Sequence, residues 1–132
     1  MACASWSIPA LAEEVGGVRH AAVEFARDQG VPDPPLADLR LAISEAVSNA
    51  VIHAFRTQHR PGTVTVTVDV ASAVLVEAVV RDDGMGMSSR NDSPGLGLGL
   101  GLIAGVADAV ELRVPTDGVG FELWMSFRCG GT

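Results

Sequence analysis

The sequence predicts an α+β fold, a two-layer sandwich of a mostly antiparallel sheet with helices on one face. Three observations carry this. Apolar residues recur at helical spacing as far as Phe55 and then switch, from Thr63, to strict alternation in "TVTVTVDV". Strand-like runs come in neighbouring pairs joined by very short or Gly-rich turns, the pattern of hairpins. Helical and strand segments do not alternate regularly, which argues against βαβ units and a parallel sheet.

A short strand is expected at Ala4 to Ile8, followed by a helix from about Glu13 to Gln29 with Gly30 placed to end it. Gly16 and Gly17 weaken the first turns of that helix. In "VPDPPLADLRLAISEAVSNAVIHAF", Asp33 is the expected cap and Pro34 the first-turn proline of a long amphipathic second helix. "TVTVTVDV" and "AVLVEAVVRD" then form two strands, with a tight connection around Ala71 to Ala73. "DGMGMSSRNDSPG" reads as a polar, Gly-rich loop, and "LGLGLIAGVADAV" as a third helix with a glycine-laden first turn. "VELRV" and "FELWMSF", either side of "PTDGVG", make a second hairpin.

At 132 residues the chain fits one domain, residues 1–132, large enough to bury a core without staples. A formal charge of -7 argues against nucleic acid as the main ligand, since binding a phosphate backbone needs clustered positive charge. Every basic residue is Arg, so a P-loop with its phosphate-gripping lysine is excluded. Cys3 and Cys129 lie near opposite ends without zinc-site spacing and read as free thiols of a reducing compartment. The N-terminal stretch lacks the basic leader and apolar run of a signal peptide. The longest apolar segment, "LGLGLGLIAGVA", falls short of the roughly 18 residues needed to span a bilayer, so a cytoplasmic location without membrane contact is expected.

Three segments could carry chemistry. In "ISEAVSNAVIHAF", Glu45, Asn49 and His53 stack along one stripe of an otherwise apolar helix. A buried polar group without a partner costs about 1 to 3 kcal/mol, so Glu45 and Asn49 are either satisfied by protein or face a ligand cavity. His53, near the expected helix end, reads as a cap or core imidazole and is assigned no chemistry. "RDDGMG" is by itself an ordinary turn after a strand. Its functional reading places Gly84 and Gly86 against a planar ligand while an Asp carboxylate accepts a hydrogen bond from it. "SPGLGLGLGLIAGVADAV" contains Gly101 and Gly105 at a helix-packing spacing, which leaves Gly95, Gly97 and Gly99 unexplained. Glycines opening a helix leave N–H groups free to meet a phosphate.

Glu-x-x-x-Asn on a helix, a hairpin ending in Asp-x-Gly-x-Gly, and then Gly-x-Gly opening a helix together resemble the GHKL ATP-binding superfamily, with its histidine-kinase-type ATPase fold. The domain looks most like the bacterial anti-sigma-factor serine/threonine protein kinases, from about Glu13 to Phe127. The resemblance implies ATP and Mg²⁺ as cofactors. Asn49 would be the metal ligand, and Glu45 would be the catalytic residue, accepting the proton of a substrate hydroxyl. Asp82 would hold the adenine amino group, with Asp83 in the variable place of the motif and Gly84 and Gly86 shaping the purine wall. The segment Gly97, Leu98, Gly99, Leu100 and Gly101 would line the phosphates. A register two residues earlier would bring in Gly95 and release Gly101. Residues 87–96 would form a lid, with Arg90 its basic residue toward the terminal phosphate.

By that resemblance the partners are a sigma factor and an anti-sigma-factor antagonist that is the phosphorylation substrate, and the chain is expected to be a homodimer. The acidic balance would suit a partner with a basic face. The alternative is a nucleotide-gated binding module without significant phosphoryl transfer. A detached histidine-kinase catalytic domain is disfavoured, because His20 lies in a single helix too short to provide a dimerising, phospho-accepting pair.

Overall fold

The computed structural model describes residues 2–57, 62–72, 74–83, 101–113 and 120–129. Its elements are β1 (Ala2–Pro9), a 3-10 turn (Ala12–Glu14), α1 (Val15–Asp28), α2 (Pro35–Thr57), β2 (Thr63–Ser72), β3 (Leu75–Asp82), β4 (Ala109–Arg113) and β5 (Phe121–Arg128). Residues 101–106 are also helical. The strands form one sheet in the order β1-β2-β3-β5-β4, antiparallel at every pairing. Both expected hairpins are present, β2 with β3 and β4 with β5. The residues between the second pair, 114–119, lie outside the described set, as do Ala73 and the Gly-rich segment 84–100.

Period-2 patterning decides which sheet face is buried. Val64, Val66, Val68 and Val70 on β2, Val76, Ala78 and Val80 on β3, and Leu123, Met125 and Phe127 on β5 all point to one side and are buried. Both helices cover that side, α1 over β1 and β2 and α2 over β2, β3 and β5. Trp6 of β1 meets Phe25 of α1 edge-on, with ring centroids 5.9 Å apart, and closes this layer at the β1 edge. The opposite face is mixed, with Val79 beside Trp124 among polar and charged residues. Ser5 pairs with Thr67 and Ser7 with Thr65 across β1 and β2, and the Arg113 guanidinium lies over the Trp124 ring.

α1 ends where the sequence places its stop. Gly30 takes φ 94°, and the Gly30 and Val31 N–H groups donate to the carbonyls of Arg27 and Ala26, which satisfies the last turn in the Schellman manner. The start of α2 differs from expectation. The helix begins at Pro35, and the Asp38 N–H donates to the Pro34 carbonyl, so Pro34 takes the capping position and Asp33 lies one residue outside. A residue before proline is disfavoured in the helical region, and in Pro34-Pro35 that constraint moves the start by one residue. The third helix is shorter at its end than expected, because Ala109 and Val110 belong to β4. Pairing with β5 captures them: the Asp108 N–H donates to the Ser126 carbonyl, and the Asp108 carboxylate accepts from the Arg128 N–H at 2.5 Å.

At the start of β5, Gly120 has φ 70°, and a Cβ placed there would lie 1.8 Å from the carbonyl oxygen of Asp82. Left-handed backbone costs a non-glycine residue about 1–2 kcal/mol, and a clash against main chain adds to it because neither strand can withdraw. Gly120→Ala is therefore expected to lower stability by more than ~2 kcal/mol in urea denaturation. Gly105 is exposed and helical, with nothing within 4 Å of an added Cβ. Gly105→Ala should be neutral or stabilising, by up to about 1 kcal/mol, in the same assay.

Cys129 is buried and Cys3 exposed. Burial first, and the Asp108 carboxylate second, push the Cys129 thiol above its ordinary value of 9.0. The unfolded chain then releases this proton at lower pH than the folded chain does. The contribution is complete below the ordinary thiol value and is lost as pH rises beyond it. Denaturation at about pH 8 and about pH 10 should show an alkaline loss of stability that shrinks in Cys129→Ala, and iodoacetamide should alkylate Cys3 well before Cys129.

Candidate functional site

The site is built where the polar stripe of α2 meets the sheet layer. Leu39, Ile43, Ala46, Val47 and Ala50 of α2 are buried. Ser44, Glu45, Ser48 and Asn49 are half-buried, in two adjacent columns of the same helix. Half-exposure leaves the Glu45 carboxylate hydrated and resolves the tension of a charge on an apolar helix: the stripe runs along the border of the core. Arg19 reaches from α1 and donates to the Ser44 hydroxyl at 3.2 Å, tying the border of the stripe to the neighbouring helix. Ser44 and Ser48 carry no motif of their own, and the sequence marks neither of them.

Asp82 is of a different kind. It continues the inward register of Val76, Ala78 and Val80 and is only 2% exposed. A buried carboxylate is expensive, costing several kcal/mol unless its environment compensates, so a strand that ends a hydrophobic ladder in Asp is under another demand than packing. Its Oδ2 is enclosed and accepts no hydrogen bond from a described residue; the residue makes its interactions elsewhere. Asp83 points away and has a structural task. Its Oδ1 accepts from the Thr63 N–H at 2.7 Å and its own N–H donates to the Thr63 carbonyl at 3.2 Å, which ties the end of β3 to the start of β2. The two adjacent aspartates of the motif are thereby told apart. Gly120, whose lack of a side chain lets β5 lie against the Asp82 carbonyl, also belongs to this corner; in the sequence it is only part of a turn signal.

α2 packs against β3, so the helix carrying Glu45 and Asn49 and the strand carrying Asp82 share one interlayer. Gly101 is exposed at the first described residue of the 101–106 helix, whose Ile103 is fully buried and anchors it. Gly84, Gly86, Arg90, Gly95, Gly97, Leu98, Gly99 and Leu100 lie outside the described residues, and so does the side chain of His53. Among the described residues no group of three or more His, Cys, Asp or Glu could cage a metal. One amide oxygen beside one carboxylate is a donor set suited to a hard cation that takes its remaining ligands from phosphate and water. Among the described residues no helix is long and apolar enough to cross a membrane.

Comparison with known proteins bears on the family and the fold. The family model described as Histidine kinase-like ATPase domain matches residues 8–127. A serine-protein kinase RsbW of Bacillus licheniformis is 38% identical over 76 residues, which cover 58% of this chain and 47% of that protein. The chain thus spans about half the length of this curated relative. The RsbU and RsbW domains of Rv1364c from Mycobacterium tuberculosis superpose with a TM-score of 0.75 at 22% identity, over 98% of this chain and 33% of that one. The mycobacterial sensor histidine kinase MprB gives 0.57 at 16% identity, over 98% of this chain and all of its own, 100%. At such identities these two likenesses are of fold. The antiparallel sheet with helices on one face, the polar stripe of α2, the buried aspartate ending β3 and a family match over residues 8–127 lead to one conclusion: the chain belongs to the histidine kinase-like ATPase domain family, the GHKL group that its motifs resemble.

Proposed function

We propose that this chain is a GHKL-type kinase domain that uses ATP to phosphorylate a serine or threonine of a protein antagonist, and that it also acts as an anti-sigma factor by binding a sigma factor. The observation that carries the nucleotide reading is Asp82, a carboxylate 2% exposed at the end of β3 in the layer that α2 covers. A buried acceptor of this kind suits the exocyclic amino group of adenine. The kinase reading is supported by the likeness to the serine-protein kinase RsbW of Bacillus licheniformis.

In this reading Asn49 offers its amide oxygen to Mg²⁺, which when bound neutralises phosphate charge beside Glu45. Glu45, one turn away and half-hydrated, orients the substrate hydroxyl and accepts its proton as the hydroxyl oxygen attacks the terminal phosphoryl group of ATP and ADP departs. Asp82 fixes the base, with Gly84 and Gly86 beside the purine. Gly97, Leu98, Gly99, Leu100 and Gly101 would line the phosphates, and residues 87–96 with Arg90 would form the lid. Residues 1–132 form one kinase domain, which works in the cytoplasm as a homodimer, with the phosphorylation state of the antagonist deciding which partner is held.

The test separates binding from transfer. Asp82→Asn should weaken binding of a fluorescent ATP analogue by roughly tenfold or more, the scale of a hydrogen bond to a buried charged group. Glu45→Ala should leave that affinity nearly unchanged while lowering protein phosphorylation in a native extract supplied with γ-labelled ATP by about 10²- to 10⁴-fold. Unaltered phosphorylation by the Glu45 variant would remove the catalytic assignment. Nucleotide-dependent partner retention with no phosphoryl transfer by the wild type would leave a nucleotide-gated binding module.

A further inference from the structure

Asp83 is exposed and fills the variable place of the Asp-x-Gly-x-Gly motif. An exposed aspartate before a glycine is ordinary turn chemistry, in which the carboxylate bonds its own neighbours. The partner here is Thr63 instead, 20 positions earlier in the chain. The ladder of β2 with β3 ends at the pair Val64 and Asp82, so Thr63 and Asp83 stand where the next pair would be. The Asp83 N–H donates to the Thr63 carbonyl at 3.2 Å, as a ladder pair requires. In a regular pair the Thr63 N–H would return to the Asp83 carbonyl. It donates to Oδ1 of the Asp83 carboxylate, at 2.7 Å. The side chain thus takes the place of a main-chain acceptor and carries the strand pairing one residue past the end of β3.

The residue this closes off is Asp82. The last residue of a strand frays when nothing beyond it is bonded. Asp82 is bracketed on both sides. Toward β2 it faces Val64, and the next residue is latched to Thr63. The anchor is itself held, because the carbonyl of Gly62 accepts from the Ala10 N–H at 2.9 Å. Toward β5 the ladder pairs Asp82 with Phe121, and Gly120 lies so close to the Asp82 carbonyl that a Cβ would not fit. A buried acceptor discriminates between guests only as well as it is fixed, since a loose one turns to meet the wrong guest.

We propose that Asp83 is a positioning residue for base selection: its latch to Thr63 fixes the main chain of Asp82, and with it the aim of the Asp82 carboxylate at the exocyclic amino group of adenine. The inference rests on the reading of Asp82 as the base acceptor and gives the second aspartate of "DDGMG" a part in recognition without contact with the nucleotide. Guanine presents a carbonyl oxygen where adenine has its amino group, so a fixed carboxylate repels it and a loosened one repels it less. What residue 83 must supply is a short side-chain acceptor. Asn keeps an oxygen at the same reach and would serve, whereas Ala would not.

The experiment competes unlabelled ADP and GDP against a fluorescent ATP analogue on the full chain and takes the ratio of the two affinities. Hydrogen exchange of the Thr63 amide, read on ¹⁵N-labelled protein, reports the latch itself. The wild type should prefer ADP and protect that amide. Asp83→Ala should lose the protection and lower the ADP-to-GDP ratio by roughly five- to tenfold, the scale of one hydrogen bond to a charged group. Asp83→Asn should restore both, which separates the reach of the side chain from its charge. Val68→Ala opens a cavity in the fully buried middle of β2 and lowers stability without touching the latch, so it should keep the wild-type ratio. An equal loss of ratio in Val68→Ala would reduce Asp83 to a structural role and overturn the proposal, as would an unchanged ratio in Asp83→Ala. Asp82→Asn is measured alongside. No base preference in the wild type, or none lost in Asp82→Asn, would remove the base-acceptor reading and this inference with it. A loss in Asp82→Asn with none in Asp83→Ala would overturn the latch alone.

Discussion

The architecture depends on one buried layer, the valine-rich inner face of β2, β3 and β5 against the apolar stripe of α2. Full burial of a Val, Leu, Ile or Phe side chain contributes about 1.5–3 kcal/mol, and Val64, Val66, Val68, Ile43, Val47, Met125 and Phe127 all lie in this layer. Among the described residues the opposite sheet face offers less: hydroxyl pairs, the Val79–Trp124 cross-strand pair with a cation over the ring, and an ion pair at the surface. The layer therefore fixes the placement of α2, and through it the direction of every polar group on that helix. A one-residue slip of β3 would turn Asp82 outward and Asp83 inward, so the same constraint that holds the core selects which of the two aspartates is buried.

Wherever one physical rule acts alone, the chain was legible from its residues. Alternation in "TVTVTVDV" needs only a buried face, and β2 runs from Thr63 as expected. Gly30 needs only a backbone that must turn left-handed, and α1 stops there. Where two rules compete, the sequence misleads. Asp33 has cap chemistry, but two successive prolines move the helix start past it. Ala109 and Val110 continue a helical pattern, but β5 offers them an edge to pair with, and the strand wins. In the site, the i, i+4 spacing of Glu45 and Asn49 could be read directly, whereas Asp82 was marked only by its place in a motif and its burial emerged from the strand register. The roles of Asp83 and Gly120 could not, because both arise from contacts between residues far apart in the chain, Asp83 with Thr63 and Gly120 with the Asp82 carbonyl.

Burial grades the site. Asp82 lies in the core, while Glu45 and Asn49 stand at its border. The gradient matches a division of labour. A group that recognises a ligand by accepting one hydrogen bond gains from a dry, fixed environment, in which an imperfect guest leaves it uncompensated. A group that must take up a proton and release it again needs access to solvent and to an incoming hydroxyl. In the proposed mechanism, depth would thus separate specificity from transfer.

Net charge illustrates the opposite lesson about scale. A total of -7 points to a basic partner face when the molecule is treated as a point, and the long-range field does steer encounter in that way. At contact distance the relevant charge is local. At ordinary ionic strength the Debye length is roughly 8–10 Å, so within the α1–α2 cleft the groups that count are Arg19, Arg27, Arg40, His20 and Glu24. Arg19 joins that surface to α2 through the Ser44 hydroxyl, so the helix that carries Glu45 and Asn49 is tied to the local charge there and not to the net charge of the chain.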